Sequence, residues 1–270
     1  MNPAKTIQMV VFDWAGTTVD YGSSAPAQVF EQIFRQEGIH FTRQEINGPM
    51  GMEKKDHIRA LLSSTSGRQQ WEQIRGAAWT EEDVERLYQN FEAALFQVVA
   101  DRSQPLDGVA ETVAALREQG LKIGSTTGYT SHMMEQVLPG AAAGGYAPDC
   151  VVTPDVVGSG RPGPFMLFEC MRQLQVYPPR CVVKVGDTVA DIREGKNAGA
   201  WSVGLLTSSN LVGLTEEEAA VVSPEEWEQR RTAAADRYRE AGADLVLDSI
   251  RDLPRAVEEL NRRLAKEEEA

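Results

Sequence analysis

Cysteine is scarce in this chain. Cys150, Cys170 and Cys181 lie far apart, with no C-x-x-C pair and no even-numbered set. That excludes a disulfide-stapled scaffold and a thiolate zinc site. Cys150 and Cys181 adjoin valine-rich runs, so the cysteines read as small buried hydrophobes. The histidines, His40, His57 and His132, are too dispersed for a zinc cage. Positive charge is also short, with 27 Lys and Arg against 40 Asp and Glu and a formal net charge of −13. A nucleic-acid binder needs a basic face, so no nucleic-acid partner is expected. An anionic substrate would need a local cationic pocket to offset the overall field. No apolar run approaches the ~18 residues that span a membrane. The start, MNPAKTIQMVVFDWAG, enters a strand-like run without the apolar stretch and cleavage site of a signal peptide. A cytoplasmic protein with no membrane partner is expected.

What is present is an α/β pattern. Short apolar runs rich in β-branched residues occur at Ile7–Asp13, Leu121–Thr127, Asp149–Asp155, Cys181–Asp187, Ala200–Leu206 and Ala243–Ser249. Helical spacing marks Gly108–Gly120, Phe165–Leu174 and Ala190–Ala198 between them. Strands alternating with helices predict a doubly wound parallel sheet, with ligands at the carboxyl ends of the strands. The alternation breaks between Tyr21 and about Ser103. There the spacing predicts helices over Pro26–Gly38, Lys54–Leu62 and Glu81–Ala100, joined through a polar link or loop at Ser63–Gly76. The expected organisation is an α/β core of residues 1–20 and 104–270, with a helical cap of residues 21–103 inserted after the first strand. Such a cap sits over the strand ends and can act as a lid. Leu214–Ala241 is acidic and helix-prone, and Leu253–Ala270 reads as a surface helix with a solvated charge run.

Four pieces carry chemistry, each at a strand end. Asp13 closes the first run in FDWAGTTVD, where a carboxylate is better placed to meet a ligand or metal than to stabilise the sheet. LKIGSTTGYT ends in hydroxyls and Gly128, groups able to cradle phosphate oxygens. Arg161, between Gly160 and Pro162, offers a rigid donor fork. In VVKVGDTVADIREG, Asp187 and Asp191 come together at a helix start, where paired carboxylates can hold Mg²⁺ directly and through water. Each piece alone also fits a turn, a cap or a surface charge. Together, in this order, they resemble the haloacid dehalogenase-like superfamily.

That resemblance implies that Asp13 attacks phosphorus and becomes an aspartyl phosphate, and that Thr127 and Arg161 hold the phosphoryl oxygens. It also implies Mg²⁺ as cofactor, on Asp13, the Ala15 carbonyl and Asp187, with Asp191 in support. Phosphatases of the superfamily read D-x-D after the first strand, and the second Asp protonates the leaving oxygen. Here the sequence is Asp13–Trp14–Ala15, and alanine donates no proton. The leaving group is therefore not expected to be an ordinary alcohol. Members lacking the second Asp include dehalogenases and phosphonatases.

The inserted segment separates these two. Its GPMGMEKKDHIRAL, with FDWAGTTVDYG, GSTTGYT and GRPxPxM, resembles the phosphonoacetaldehyde hydrolase family. The resemblance gives Lys54, not Lys55, the imine-forming role. A bare carbanion is a very poor leaving group, but a protonated imine beside the C–P bond accepts its electron pair and departs as an enamine. A general acid at position 15 is then unnecessary. Lys54 must be partly neutral to attack an aldehyde, and burial near another cation favours that. His57, one turn on, is positioned to move protons for the imine and enamine steps. By resemblance Met50, Gly51 and Tyr129 line the pocket, the substrate is a small phosphonate, and the protein is a homodimer. The amphipathic lid helices are a candidate pairing face. The rival enzyme is a dehalogenase, needing neither Mg²⁺ nor Lys54. The rival without catalysis is a phosphate- or Mg²⁺-binding module that binds without turnover.

Overall fold

A computed structural model describes residues 6–269, with side chains as far as residue 266. The ends of the expected core beyond those limits lie outside the described residues. Strands β1 (Met9–Phe12), β2 (Lys122–Thr126), β3 (Cys150–Val152), β4 (Val182–Gly186), β5 (Trp201–Leu205) and β6 (Leu245–Leu247) form one sheet, in the order β3-β2-β1-β4-β5-β6. Every pairing is parallel. Each strand lies inside one of the six apolar runs; the central β1 and β4 are Val-rich and buried throughout, whereas the edge strand β6 is half-buried.

The register brings the strand ends level. Phe12 pairs with Ser125 on one side and Val185 on the other. The residues that follow, Asp13, Thr127 and Asp187, therefore emerge along one edge. The chain builds outward from β1 to β2 and β3, then returns to β1's other side with β4. The edge between β1 and β4 is thus a topological switch point, where loops diverge and leave a crevice.

Across residues 21–103, after β1, the chain forms five α-helices: α1 (Ser24–Gln36), α2 (Arg43–Asn47), α3 (Lys54–Ser63), α4 (Thr65–Arg75) and α5 (Glu81–Val98). Val29, Phe30, Ile33 and Phe34 of α1, Ile58, Leu61 and Leu62 of α3, and Val84, Leu87, Phe91 and Leu95 of α5 are all buried. Phe30 stacks on Phe91 at 4.2 Å between ring centroids. These apolar faces pack against one another inside the segment, while Ile74 of α4 and Val98 of α5 stay exposed. The link expected to be irregular over Ser63–Gly76 is instead helical as α4. Ser64 caps it by accepting from the Gly67 N–H at 2.9 Å, and Gly76 ends it at φ +71°. Its polar residues are the solvated face of a helix anchored by one large apolar side chain, buried Trp71.

The two connections into this helical segment run side by side. Val19 bridges Pro105, and the Leu106 N–H donates to the Thr18 carbonyl at 2.9 Å. Asp20 then caps α1, accepting from Ser24 Oγ at 2.6 Å and from the Ala25 N–H at 3.0 Å.

The remaining helices are α6 (Val109–Glu118), α7 (Ser131–Ala143), α8 (Pro154–Val157), α9 (Phe165–Leu174), α10 (Val189–Ala198), α11 (Glu216–Val221), α12 (Pro224–Glu240) and α13 (Leu253–Glu269). The last buries Leu253, Ala256, Val257, Leu260 and Leu264 along one stripe and leaves the charged face to solvent. All three cysteines are buried and free of disulfides.

Candidate active site

A cavity of about 270 Å³ lies where the helical segment meets the carboxyl edge of the sheet. Its lining includes Asp13, Ala15, Met50, Gly51, Lys54, Thr127, Tyr129 and Arg161. These come from four loops and one helix start, far apart in the chain, and sequence reasoning had singled out each of them. The lining also includes Gly128, read from the sequence as part of a phosphate cradle, and Ser23, Pro26 and Thr188, which had not been assigned. Thr188 follows Asp187 directly, so its place at a helix start was a usable signal.

The helical segment approaches closely through glycine. A Cβ on Gly51, whose φ is +86°, would lie 2.3 Å from Thr188 Oγ1. A Cβ on Gly128 would lie 2.8 Å from the Met52 carbonyl oxygen. The loop Gly51–Met52 therefore rests directly on the loops after β2 and β4, and side chains at these two positions would hold them apart.

Lys54 opens α3 and is buried in this contact, whereas Lys55 is not. Nζ of Lys54 stands 5.9 Å from the Phe30 ring and 5.2 Å from the Tyr129 ring. Nζ of Lys55 pairs with Glu85 at 2.6 Å on the outside. Burial pushes the Lys54 amine down to about 8; Asp13 pulls it back up and Arg161 pushes it down further. The result is an amine with a substantial neutral fraction near neutral pH. The Tyr129 hydroxyl is buried without a hydrogen-bond partner, and burial followed by the carboxylates of Asp20, Asp13 and Asp187 raises its pKa well above that of ordinary tyrosine.

His57 packs behind Lys54. Its ring lies 3.9 Å from that of Phe30, and Nε2 is 2.9 Å from the Ile46 carbonyl. A carbonyl only accepts, so Nε2 carries the proton and Nδ1 is left as a bare, partnerless base. Burial first, then Lys54, hold the imidazole well below its usual pKa, so it is neutral.

Arg161 is fully buried, and its fork reaches further than the sequence suggested. Nη2 lies 2.8 Å from Asp13 Oδ1 and donates to Thr126 Oγ1 at 2.8 Å. Nη1 lies 3.0 Å from Asp191 Oδ1, and Nε donates to Glu194 at 2.9 Å. Lys184, from the middle of β4, adds a second buried cation 2.8 Å from Asp191 Oδ1. Glu194 and Lys184 escaped sequence reasoning. A lysine inside a valine run reads only as strand, and a glutamate on a helix reads as surface.

Asp13, Asp187 and Asp191 offer carboxylate oxygens within 4.8 Å of one another. Asp187 also accepts from Thr17 Oγ1 at 3.0 Å and from the Asn210 N–H at 2.9 Å. Burial, then the neighbouring Asp13 and Asp191, push the Asp187 carboxyl well above the usual range. Burial acts upward on Asp191 too, but Arg161 and Lys184 outweigh it and hold that carboxyl down. Leaving aside Lys54 on the cavity side of Asp13, and counting Glu194, four buried carboxylates face two buried cations, Arg161 and Lys184. The deficit of two positive charges and the all-oxygen donor set fit one hard divalent cation. The Ala15 carbonyl, on the cavity wall, already accepts from Ser23 Oγ at 3.0 Å and keeps a second lone pair.

A buried carboxylate at a strand end, an arginine fork and an acidic cluster thus meet at the switch point of a doubly wound sheet. The family model for haloacid dehalogenase-like hydrolases matches residues 7–199. The chain is 47% identical over 260 residues to the phosphonoacetaldehyde hydrolase of Parabacteroides distasonis, covering 96% of this chain and 98% of that one. It is 45% identical over 256 residues to the phosphonoacetaldehyde hydrolase of Bacillus cytotoxicus, covering 95% and 97%. A crystal structure from Oleispira antarctica, described as phosphonoacetaldehyde hydrolase-like, superposes with a TM-score of 0.93 at 41% identity, over 96% of this chain and 94% of that one. The chain belongs to the haloacid dehalogenase-like hydrolases, and within them to the phosphonoacetaldehyde hydrolase family.

Proposed function

We propose that the protein hydrolyses phosphonoacetaldehyde to acetaldehyde and phosphate, through an imine on Lys54 and a phosphoryl group carried by Asp13. The observation that carries this reading is the division between neighbouring lysines. Lys54 lines the same cavity as Asp13, with its amine brought down to about 8, while Lys55 is paired outside.

The order of events follows from the groups present. The neutral Lys54 amine adds to the aldehyde carbon, water leaves, and the imine is protonated. Asp13 attacks phosphorus in line with the C–P bond, whose electron pair moves into the imine to give an enamine. No proton donor is needed on the leaving side, consistent with alanine at position 15. Arg161 neutralises the approach of one anion to another. Water then hydrolyses the aspartyl phosphate. The enamine is protonated on carbon, and hydrolysis of the resulting imine releases acetaldehyde and restores Lys54. His57, with its bare Nδ1 behind Lys54, is the proposed base for the proton steps at that nitrogen. Thr127, Met50, Gly51 and Tyr129 are assigned to substrate contact. A bound Mg²⁺, on Asp13, Asp187 and the Ala15 carbonyl with Asp191 in support, would supply charge stabilisation at the phosphoryl group.

Residues 21–103 are proposed as a mobile cap on a core of 1–20 and 104–270; the paired connections at Thr18–Val19 and Pro105–Leu106 support hinging there. The activity fits breakdown of 2-aminoethylphosphonate, in the cytoplasm. No helix among the described residues is long and apolar enough to cross a membrane. A homodimer is also proposed, and Phe165 and Phe168, exposed one turn apart on α9, offer an apolar surface for it. The test is stoichiometric: phosphonoacetaldehyde with Mg²⁺ should yield equimolar phosphate and acetaldehyde, and chelation should abolish both. Product formation that persists after chelation would reject the metal-assisted reading.

A further inference from the structure

Behind the cavity wall the charges continue into a second layer that the proposed reaction does not itself use. Lys184 lies mid-strand in β4 and is fully buried, as is Glu194 on α10. Lys184 Nζ is 2.8 Å from Asp191 Oδ1 and 3.4 Å from Glu194 Oε2. The same Glu194 oxygen accepts from Arg161 Nε at 2.9 Å and from Thr126 Oγ1 at 3.0 Å.

Stability does not explain such a pair. Desolvating two charges costs several kcal/mol each, and packed apolar residues of similar volume would hold the fold as well or better. What apolar residues could not do is fix an arginine or balance a carboxylate cluster. Arg161 has one edge on Asp13, and two contacts tie the rest of the fork to α10: Nη1 with Asp191, itself in the acidic cluster, and Nε with Glu194 behind it. The charges also sum to a definite value. Leaving aside Lys54 on the cavity side of Asp13, and with every carboxyl ionised as a bound cation would require, Asp13, Asp187, Asp191 and Glu194 contribute four negative charges and Arg161 and Lys184 two positive ones, a deficit that one divalent cation fills.

We propose that Lys184 and Glu194 are positioning residues: Glu194 locks the Arg161 fork toward Asp13, and the two together set the charge that the metal cluster presents. This rests on the reading that the cluster holds Mg²⁺. Removing Glu194's charge leaves the cluster short by one rather than two and weakens cation binding. Removing Lys184's charge leaves it short by three and tightens binding. Removing both restores the original sum.

The experiment is calorimetric titration of Mg²⁺ into the full chain without substrate, for wild type, Glu194→Gln, Lys184→Met and the double variant. Glu194→Gln should raise the Mg²⁺ dissociation constant roughly tenfold and Lys184→Met should lower it by a similar factor. The double variant should return to within about threefold of wild type. A merely structural role moves both singles the same way. At saturating Mg²⁺, Glu194→Gln should also lower kcat more than it changes KM, because Arg161 is no longer held. Shifts of the two singles in the same direction, or of less than about twofold, overturn the proposal while leaving the metal reading intact. Failure of wild type to bind Mg²⁺ overturns both. If Lys184→Met does not fold, Lys184→Gln replaces it; if neither folds, Glu194→Gln decides alone, and unchanged Mg²⁺ affinity rejects the proposal.

Discussion

Lys54 and Lys55 are adjacent in the chain and end in different worlds: one against the rings of Phe30 and Tyr129 inside the cavity, the other on Glu85 at the surface. Burial brings the Lys54 amine down to about 8, and it is the nucleophile of the proposed reaction. Lys54→Arg keeps a positive charge but cannot form an imine, and should reduce kcat by several orders of magnitude. Lys55→Arg should stay within about twofold of wild type, since exposed pairs contribute little. Steady-state assay of both variants checks this.

The pH dependence follows from the same residue. Its burial-lowered value of about 8 means that the neutral amine grows as pH rises toward 8 and saturates above it. Imine formation, followed by borohydride trapping at fixed times, should climb through that range and level off. A rate that falls as pH rises from 6 to 8 would contradict the assignment.

Arg161→Lys removes a fork and leaves a point charge. One ammonium cannot serve Asp13, Asp191, Glu194 and Thr126 together as the guanidinium does. The expected loss in kcat is roughly a hundredfold or more, by analogy with deleting one preorganised donor. Circular dichroism and turnover measured on the same preparation separate misfolding from lost chemistry.

Gly128→Ala tests the seating of the helical segment on the core. The new methyl would meet the Met52 carbonyl oxygen at 2.8 Å, backbone that cannot rotate away. KM for phosphonoacetaldehyde should rise by roughly tenfold while the thermal midpoint of the protein changes little, because the strain falls on the seated form and not on either body alone.

Trp71→Ala should cost about 3–5 kcal/mol of stability, the usual range for deleting a buried indole. A loop residue would not show such a loss in a denaturant titration. This residue also marks where sequence reading stopped short. The strands were legible because short apolar runs alternate with helical spacing, most plainly at β1 and β4, where burial on both faces leaves runs of Val. α1, α3 and α5 were legible from apolar spacing. α4 was not, because most of its surface is polar and Trp71 is its single large anchor, too few apolar positions to establish a period.

The site divided along similar lines. Asp13, Arg161 and Asp187 were readable because they occur in this order along the chain, with a hydroxyl-rich turn between them; each alone also fits a turn, a cap or a surface charge. Lys184 and Glu194 were unreadable because a buried ion pair obeys no local pattern; each partner's reason for burial lies on another element. His57 was expected to shuttle protons. Its position against Phe30, with Nε2 committed to Ile46, adds that Nδ1 alone remains for that task.

The central claim is a covalent bond between one particular amine and the substrate's carbonyl carbon. Protein mixed with phosphonoacetaldehyde and reduced with borohydride, then digested and weighed peptide by peptide, measures it directly. The account predicts one reduced adduct, on Lys54, absent from Lys54→Arg. An unmodified Lys54 in protein that was turning over at the moment of reduction, or an adduct on Lys55 instead, would contradict it.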